Sequence, residues 1–312
     1  MNTHTSDTTT DAPLVSARGL TKHYEGFSLD GVDLDVREGE IVGFVGKNGA
    51  GKSTTIKALL GLIATDSGTS SVLGTPSELL SRPVGAHAKE RVGVVFDTVS
   101  LPGHLRVRDV GTIYAHAYDR WDAHRFSRLT DTFDLPVEKC VKDLSRGMGM
   151  KLSLACALSH DAHVLILDEA TAGLDPMARD EVLDRLRDFV AEPGRAVLMS
   201  SHITSDIERI ADRVVCIDDG RIVFDLPKDA INIAKDEVCD LMGVARCRVA
   251  DFERVAASGM VPESELRYLR HEYGIDVLVP DRYDFARRFP EIPCDRMTID
   301  DYLTLTLKGG VR

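Results

Sequence analysis

A basic excess is the first thing missing from this 312-residue chain: 38 Lys and Arg stand against 50 Asp and Glu, a formal net charge of −12. A nucleic-acid binder would ordinarily carry a cationic face to neutralise phosphates, so no nucleic-acid partner is expected. Long apolar runs are missing too, and no stretch approaches the roughly 18–20 residues that cross a bilayer. The opening MNTHTSDTTTDAP has neither a basic start nor an apolar stretch, so it does not read as a signal peptide. Residues 1–12 are expected to form a disordered Thr/Ser/Asp tail. The six cysteines (Cys140, Cys156, Cys216, Cys239, Cys247, Cys294) contain no CxxC pair and no small-domain framework. That usage points to reduced thiols in a cytosolic protein. Internal repeats and long heptad runs are absent as well.

What is present is ordinary globular material. A hydrophobic share of 43% against 28% charged is enough to build a sizeable core, and the length suggests two domains. From Leu14 to Gly46 apolar and polar residues alternate, with turn residues at Glu25-Gly26 and Glu38-Gly39. This predicts antiparallel strands leading to a buried one, IVGFVG (41–46). A helix is predicted from Lys52 to about Ile63. VGVVF (92–96), HVLILD (163–168), AVLMS (196–200) and RVVCID (213–218) read as further short strands. Helical patterns lie between them, as in MARDEVLDRLRDFV, where Val182, Leu183, Leu186, Phe189 and Val190 share a face. Alternating strands and helices indicate an α/β sheet with its ligand edge at the strand C-termini. The interval 100–160 breaks that rhythm with mostly helical patterns, including Trp121, and reads as an inserted helical subdomain. Asp219-Gly220 reads as a hairpin turn, after which the pattern restarts at Pro227.

Residues 46–54, GKNGAGKST, match G-x-x-x-x-G-K-[ST] directly after a strand and directly before a helix. The glycines (Gly46, Gly49, Gly51) let the backbone curl so that successive N–H groups, with those of Lys47, Asn48, Ala50 and Thr54, face phosphate oxygens. The helix N-terminus adds partial positive charge. Lys52 can reach the β- and γ-phosphates, and the Ser53 hydroxyl can ligate Mg²⁺. A second element, VLILDEAT (164–171), ends an apolar strand on two acids. Asp168 is placed to hold Mg²⁺ and Glu169 to polarise an attacking water. Folding alone does not account for two such acids, since a buried carboxylate is costly unless paired or bound to metal. Together the two elements predict an ATP- or GTP-hydrolysing protein.

LSRGMGMKL (144–152) then makes the pattern specific. It resembles the signature of ATP-binding cassette (ABC) ATPases, usually written LSGGQ, with Ser145 and Gly147 matching. Arg146 stands where glycine is common and Met148 where glutamine is common. A helix start with Ser145 as N-cap explains the same letters. The resemblance extends to AGLD (172–175), a D-loop match, and to His202 in LMSSH, a switch-histidine match. It covers roughly residues 14–225 and implies an α/β P-loop NTPase of ABC type. That fold has an antiparallel β-subdomain, a helical subdomain at about 98–160, a nucleotide-binding domain over 13–227 and here a small mixed C-terminal extension, 228–312.

By that resemblance ATP is the nucleotide and Mg²⁺ its metal, and two ATP molecules lie between two ATPase subunits, homodimeric or heterodimeric. Ser145, Arg146, Gly147 and Met148 of one subunit complete the site of the other, with Asp175 at the interface. His202 would contact the γ-phosphate; capping a surface strand is its plainer reading. Tyr24 sits where the family stacks an aromatic on adenine, although a tyrosine packing on the core is a rival. The family's Q-loop glutamine, which contacts Mg²⁺, falls where this chain has Asp97. Some exporter ATPases of bacterial self-protection are similar in carrying an acid there. A one-residue deletion would leave the same letters. A carboxylate is the better Mg²⁺ ligand but adds charge beside the γ-phosphate.

The helical interval from LPGHLRVRDV would carry the groove that docks a membrane subunit's cytoplasmic helix, starting near Leu101, Pro102, Leu105 and Val107. Ordinary helix packing explains the same residues. His104, His116 and His124 share no tight ligand spacing and are not read as a metal site. LSRGM with a tail ending TIDDYLTLTLKGG resembles the ATPase subunits of ABC-2-type exporters. That resemblance implies integral membrane permease partners and a peripheral place on the cytoplasmic face of the membrane. Sugar-importer ATPases carry a longer β-rich regulatory domain than this tail. ABC proteins acting on ribosomes or DNA form the other alternative, but they bring second cassettes, long coiled coils or basic patches. A small-molecule P-loop kinase would leave the signature and His202 unexplained.

Overall fold

A computed structural model describes residues 12–226, 237–262 and 265–311. Residues 1–11 of the tail expected over 1–12, and the restart at Pro227, lie outside them. Two compact units are present, one within 1–203 and 215–224, the other within 204–214 and 225–312.

The first unit opens with long paired strands, β1 (Val15–Tyr24) and β2 (Phe27–Val36), which form an antiparallel sheet. Strand β3 (Ile41–Val45) follows and is buried throughout. Helix α1 (Lys52–Leu59) starts at Gly51, whose φ of 117° only glycine adopts freely. This helix stops four residues before the predicted Ile63. Gly61 takes a φ of 64°, and its N–H returns to the Ala58 carbonyl at 3.0 Å, which terminates the turn. A β-carbon there would come within 2.0 Å of the Ser77 carbonyl oxygen, so only glycine fits at this turn.

Strands β4 (Ser67–Val72) and β5 (Thr75–Pro76) complete the antiparallel sheet in the order β2-β1-β4-β5. Helices α2 (Ser77–Leu80) and α3 (Ala86–Glu90) lead to β6 (Val92–Val95). The interval that breaks the rhythm contains α4 (Val107–Ala117), α5 (Ala123–Thr132) and α6 (Arg146–Leu158). Trp121 packs between Tyr114 and Phe126, 5.3 Å from each ring. Then come β7 (Val164–Asp168), α7 (Pro176–Val190), β8 (Ala196–Ser201), β9 (Arg213–Asp218) and β10 (Arg221–Leu226), while α8 (Thr204–Ile210), between β8 and β9 in the chain, falls in the second unit.

The central sheet has the order β10-β9-β3-β8-β7-β6, in which β3 with β8, β8 with β7 and β7 with β6 pair in parallel. Strands β3, β7 and β8 are buried at every position, as a parallel sheet covered on both faces requires. Helix α7 buries Val182, Leu183, Leu186 and Phe189, the stripe its 3.6-residue period predicts. The turn between β9 and β10 uses Asp219 (φ 44°) and Gly220 (φ 76°). The result is an α/β P-loop fold with an antiparallel sheet and a helical region.

The second unit contains β11 (Gly243–Cys247), α9 (Val249–Ala256), β12 (Arg267–Arg270), β13 (Ile275–Val279), α10 (Arg282–Arg288), β14 (Cys294–Arg296), α11 (Ile299–Lys308) and β15 (Gly310–Val311). Its sheet order is β14-β11-β13-β12-β15, and each described pair is antiparallel. The sequence β-α-β-β-α-β with this order is a ferredoxin-like split arrangement. Phe252, Phe285, Ile275, Val277 and Val279 form its core.

Candidate functional site

A cleft of 790 Å³ lies along the loop between β3 and α1. Lys47, Asn48, Gly49, Gly51, Lys52, Ser53 and Thr54 line it from that loop. Asp97, Arg146, Glu169 and His202 join them from elsewhere in the chain. The parallel sheet explains the convergence, since β3, β6, β7 and β8 all deliver their C-terminal ends to one edge.

Lys52 is buried although it is cationic. Its Nζ donates to the Gly46 carbonyl at 2.7 Å and the Lys47 carbonyl at 3.2 Å, and lies 3.5 Å from Glu169 Oε1. A buried ammonium needs such partners to offset lost hydration. Glu169 Oε2 in turn accepts from the His202 backbone N–H at 3.2 Å and lies 2.6 Å from His202 Nδ1. Glu169 has a φ of 55°, a left-handed conformation that costs a non-glycine residue about 1–3 kcal/mol. Its N–H donates to the Ser200 carbonyl at 3.1 Å and to the Ser200 hydroxyl at 3.2 Å, which holds the strained residue in place.

Asp168 sits behind the cleft, 2% exposed at the end of β7. Its Oδ1 accepts the Ser200 hydroxyl at 2.6 Å, and among the described residues it pairs with no cation. A buried acid so placed suits a cation supplied from outside the chain. Gly46 and Ala50 serve the loop through their backbone, Ala50 by accepting the Gly220 N–H at 2.9 Å.

Other predicted residues do not line the cleft. Ser145 caps α6 by accepting the Met148 N–H at 3.2 Å, and Gly147 packs near Leu174. Asp175 caps α7 by accepting the Ala178 N–H at 3.0 Å. That backbone bond holds its carboxyl below the usual range. Tyr24 is 46% exposed and stacks on Phe27 with ring centroids 6.4 Å apart. Phe27, not Tyr24, lines the cleft, together with Asp219. In the sequence Asp219 carries only a turn role and Phe27 none. A half-buried aromatic at the start of β2 reads as core until the loop it faces is known. Ser200 was missed for the same reason: nothing in AVLMS marks its hydroxyl as the link between Asp168 and Glu169.

Cradle, buried lysine and facing acid at the end of parallel strands define a P-loop nucleotide hydrolase. The family model described as "ABC transporter" matches residues 29–172. A Nod factor export ATP-binding protein I of Burkholderia orbicola is 35% identical over 240 residues, covering 74% of this chain and 76% of that protein. The protein of the same name from Ralstonia nicotianae is 36% identical over 268 residues, covering 79% of each. Among solved structures, an ATP-binding subunit of an ABC transporter is similar at 29% identity, with a TM-score of 0.63 over 69% of this chain and 90% of that one. A dimeric bacterial ABC transporter cassette has the same fold (TM-score 0.63, 21% identity, 70% and 100% coverage).

The chain belongs to the ATP-binding subunits of ABC transporters. It binds and hydrolyses ATP.

Proposed function

We propose that this chain energises export, docked at the inner face of a membrane on integral membrane permease subunits and dimerising around two ATP molecules. One observation carries the reading. The segment after β6 faces two concavities at once. Asp97 lines the nucleotide cleft, while Phe96, Thr98, Ser100 and Leu101 line an apolar groove of 280 Å³. A helix seated in that groove would press on the segment that bears Asp97. The export-protein names of the two relatives support the direction, and no helix among the described residues is long and apolar enough to cross a membrane itself.

In this reading the loop Gly46–Thr54 and Lys52 hold the phosphates, and Tyr24 stacks on the adenine. Glu169 polarises the attacking water, and His202 contacts the γ-phosphate. A phosphate would compete with Glu169 for both Lys52 and His202 and so turn the carboxylate toward water. The signature residues Ser145, Arg146, Gly147 and Met148 complete the partner's site, and Asp175 lies at the interface.

Mg²⁺ keeps most of its shell as water and phosphate oxygen, so few protein donors are needed. Ser53 and Asp97 in the cleft, with Asp168 behind and paired with no cation among the described residues, fit that demand. When bound, the ion would neutralise charge on the phosphates. Residues 228–312 are proposed as a separate small domain following the nucleotide-binding domain at 13–227.

Affinity purification of the tagged chain from detergent-solubilised host membranes tests the reading. A stoichiometric multi-helix membrane protein is expected. Co-purifying ribosomes or DNA, or a chain recovered alone, would overturn it.

A further inference from the structure

Asp97 and Arg146 are charged residues from two different segments of the chain. The fold puts both on the wall of one cleft, within one chain. Their segments touch. Gly149, one turn into α6 from Arg146, packs so closely on Val99 that a β-carbon there would lie 2.5 Å from Val99 Cγ2. The stem of Arg146 lies over Gly173, with Cδ 3.4 Å from where a β-carbon would be.

Every other cation of the cleft already has an acid. Lys52 and His202 face Glu169, and Lys47 Nζ lies 3.2 Å from Asp218. Arg146 is the one cation lining the cleft without an acid among the described residues, and of the two lining acids without a side-chain partner there, Asp97 and Asp219, Asp97 lies in the segment that packs on α6. Two unmatched charges of opposite sign across one cleft attract over several ångströms, and mobile ions screen that attraction within about 10 Å at 0.1 M salt.

We propose that Asp97 and Arg146 form a charge pair across the cleft within one protomer, with Arg146 a positioning residue that acts through Asp97. The Asp97 carboxylate adds a negative charge beside the phosphates, and the guanidinium offsets it. The pair also ties the segment after β6 to the start of α6 and to Gly173, so a displacement of the groove wall would be felt at the signature. The inference rests on the ATP site, which family membership establishes. It does not require that Asp97 touch Mg²⁺.

A double-mutant cycle tests it, using R146Q and D97N in the full chain, at dilutions where light scattering shows a monomer. Both side chains are exposed, so neither change removes core packing. R146Q is expected to weaken MgATP affinity about three- to tenfold in the parent and less than twofold in D97N. The difference should vanish near 0.5 M salt, and R146K should restore most of the affinity. Equal losses in both backgrounds would overturn the pair, as would coupling that appears only in the dimer. Asp97→Ala with unchanged Mg²⁺ dependence would remove the metal role of Asp97 while leaving this cycle to stand or fall alone.

Discussion

The nucleotide cleft and the apolar groove share the segment after β6 but are built from opposite materials. The cleft is polar and strained, with a buried ammonium, a glutamate at positive φ, and backbone amides arranged by glycines. The groove is relaxed and oily, lined by Leu60, Leu62, Leu80, Val94, Phe96 and Tyr114. Strain persists only where surrounding structure holds it, and here it gathers where charge must be placed for chemistry. Shape and apolar area would suffice for the docking helix proposed for it. The two surfaces should therefore respond to different insults.

The sharpest break falls on the cleft. Glu169→Gln keeps the shape and removes the base, so turnover should drop at least about 100-fold, while an ATP-bound dimer accumulates. Phosphate release and size-exclusion chromatography with ATP check the two halves. Normal turnover would remove Glu169 from the role of base.

Acid should act on the groove side. His160 lines the groove, stacks on Tyr118 at 4.4 Å, and places Nδ1 3.0 Å from the Glu90 carbonyl, to which it donates. Burial pushes its pKa from 6.5 down to about 4, against the opposing pull of that carbonyl. The fold therefore favours neutral histidine. Its contribution is complete above pH 6.5 and fades as pH falls toward 4, by up to about 3 kcal/mol. Thermal unfolding at pH 7 and pH 4.5 should show this loss in the parent and a smaller one in His160→Gln. Equal losses would mean that His160 does not titrate on unfolding.

These two surfaces also differ in how far the sequence discloses them. GKNGAGKST and LDEAT each contain their chemistry in contiguous letters, because a loop and a strand end are local structures. Lys52 and Glu169 could be read for that reason, His202 only through the resemblance, and the alternating pattern carried the α/β fold. The groove draws on residues 60 to 160 through tertiary packing, and the sequence pointed only to its Leu101 edge. Ser200 and Phe27 stayed hidden because each looks like ordinary strand filling until its neighbour is known. The second unit was read only as mixed, since strands of three to five residues leave little periodicity to detect.

Leu62→Glu probes the groove with less force. Leu62 is 55% exposed, so a charge there spares the core yet sits where an apolar helix would lie. Recovery of the membrane partner should fall about tenfold, roughly the 1–3 kcal/mol of one lost apolar anchor, with ATP binding intact. Undiminished recovery would place the docking helix elsewhere.

The smallest effect separates two rings at the edge of the cleft. Tyr24 sits where the family stacks adenine, but Phe27 is the ring that lines the cleft, and the two lean on each other at 26°. An aromatic contact is worth about 0.5–1.5 kcal/mol beyond its buried area. If Tyr24 stacks on adenine, Tyr24→Ala should weaken ATP about three- to tenfold, while Tyr24→Phe, which keeps the ring, changes little. The Lys22 ammonium, 5.7 Å from the Tyr24 ring, would lose its aromatic partner in the alanine variant alone. Isothermal titration with ATP and with inorganic triphosphate distinguishes a base contact from a general loosening of the loop. A contact to adenine weakens ATP and spares triphosphate. Equal losses for both, or a loss only in Phe27→Ala, would move base recognition from Tyr24 to the ring beneath it.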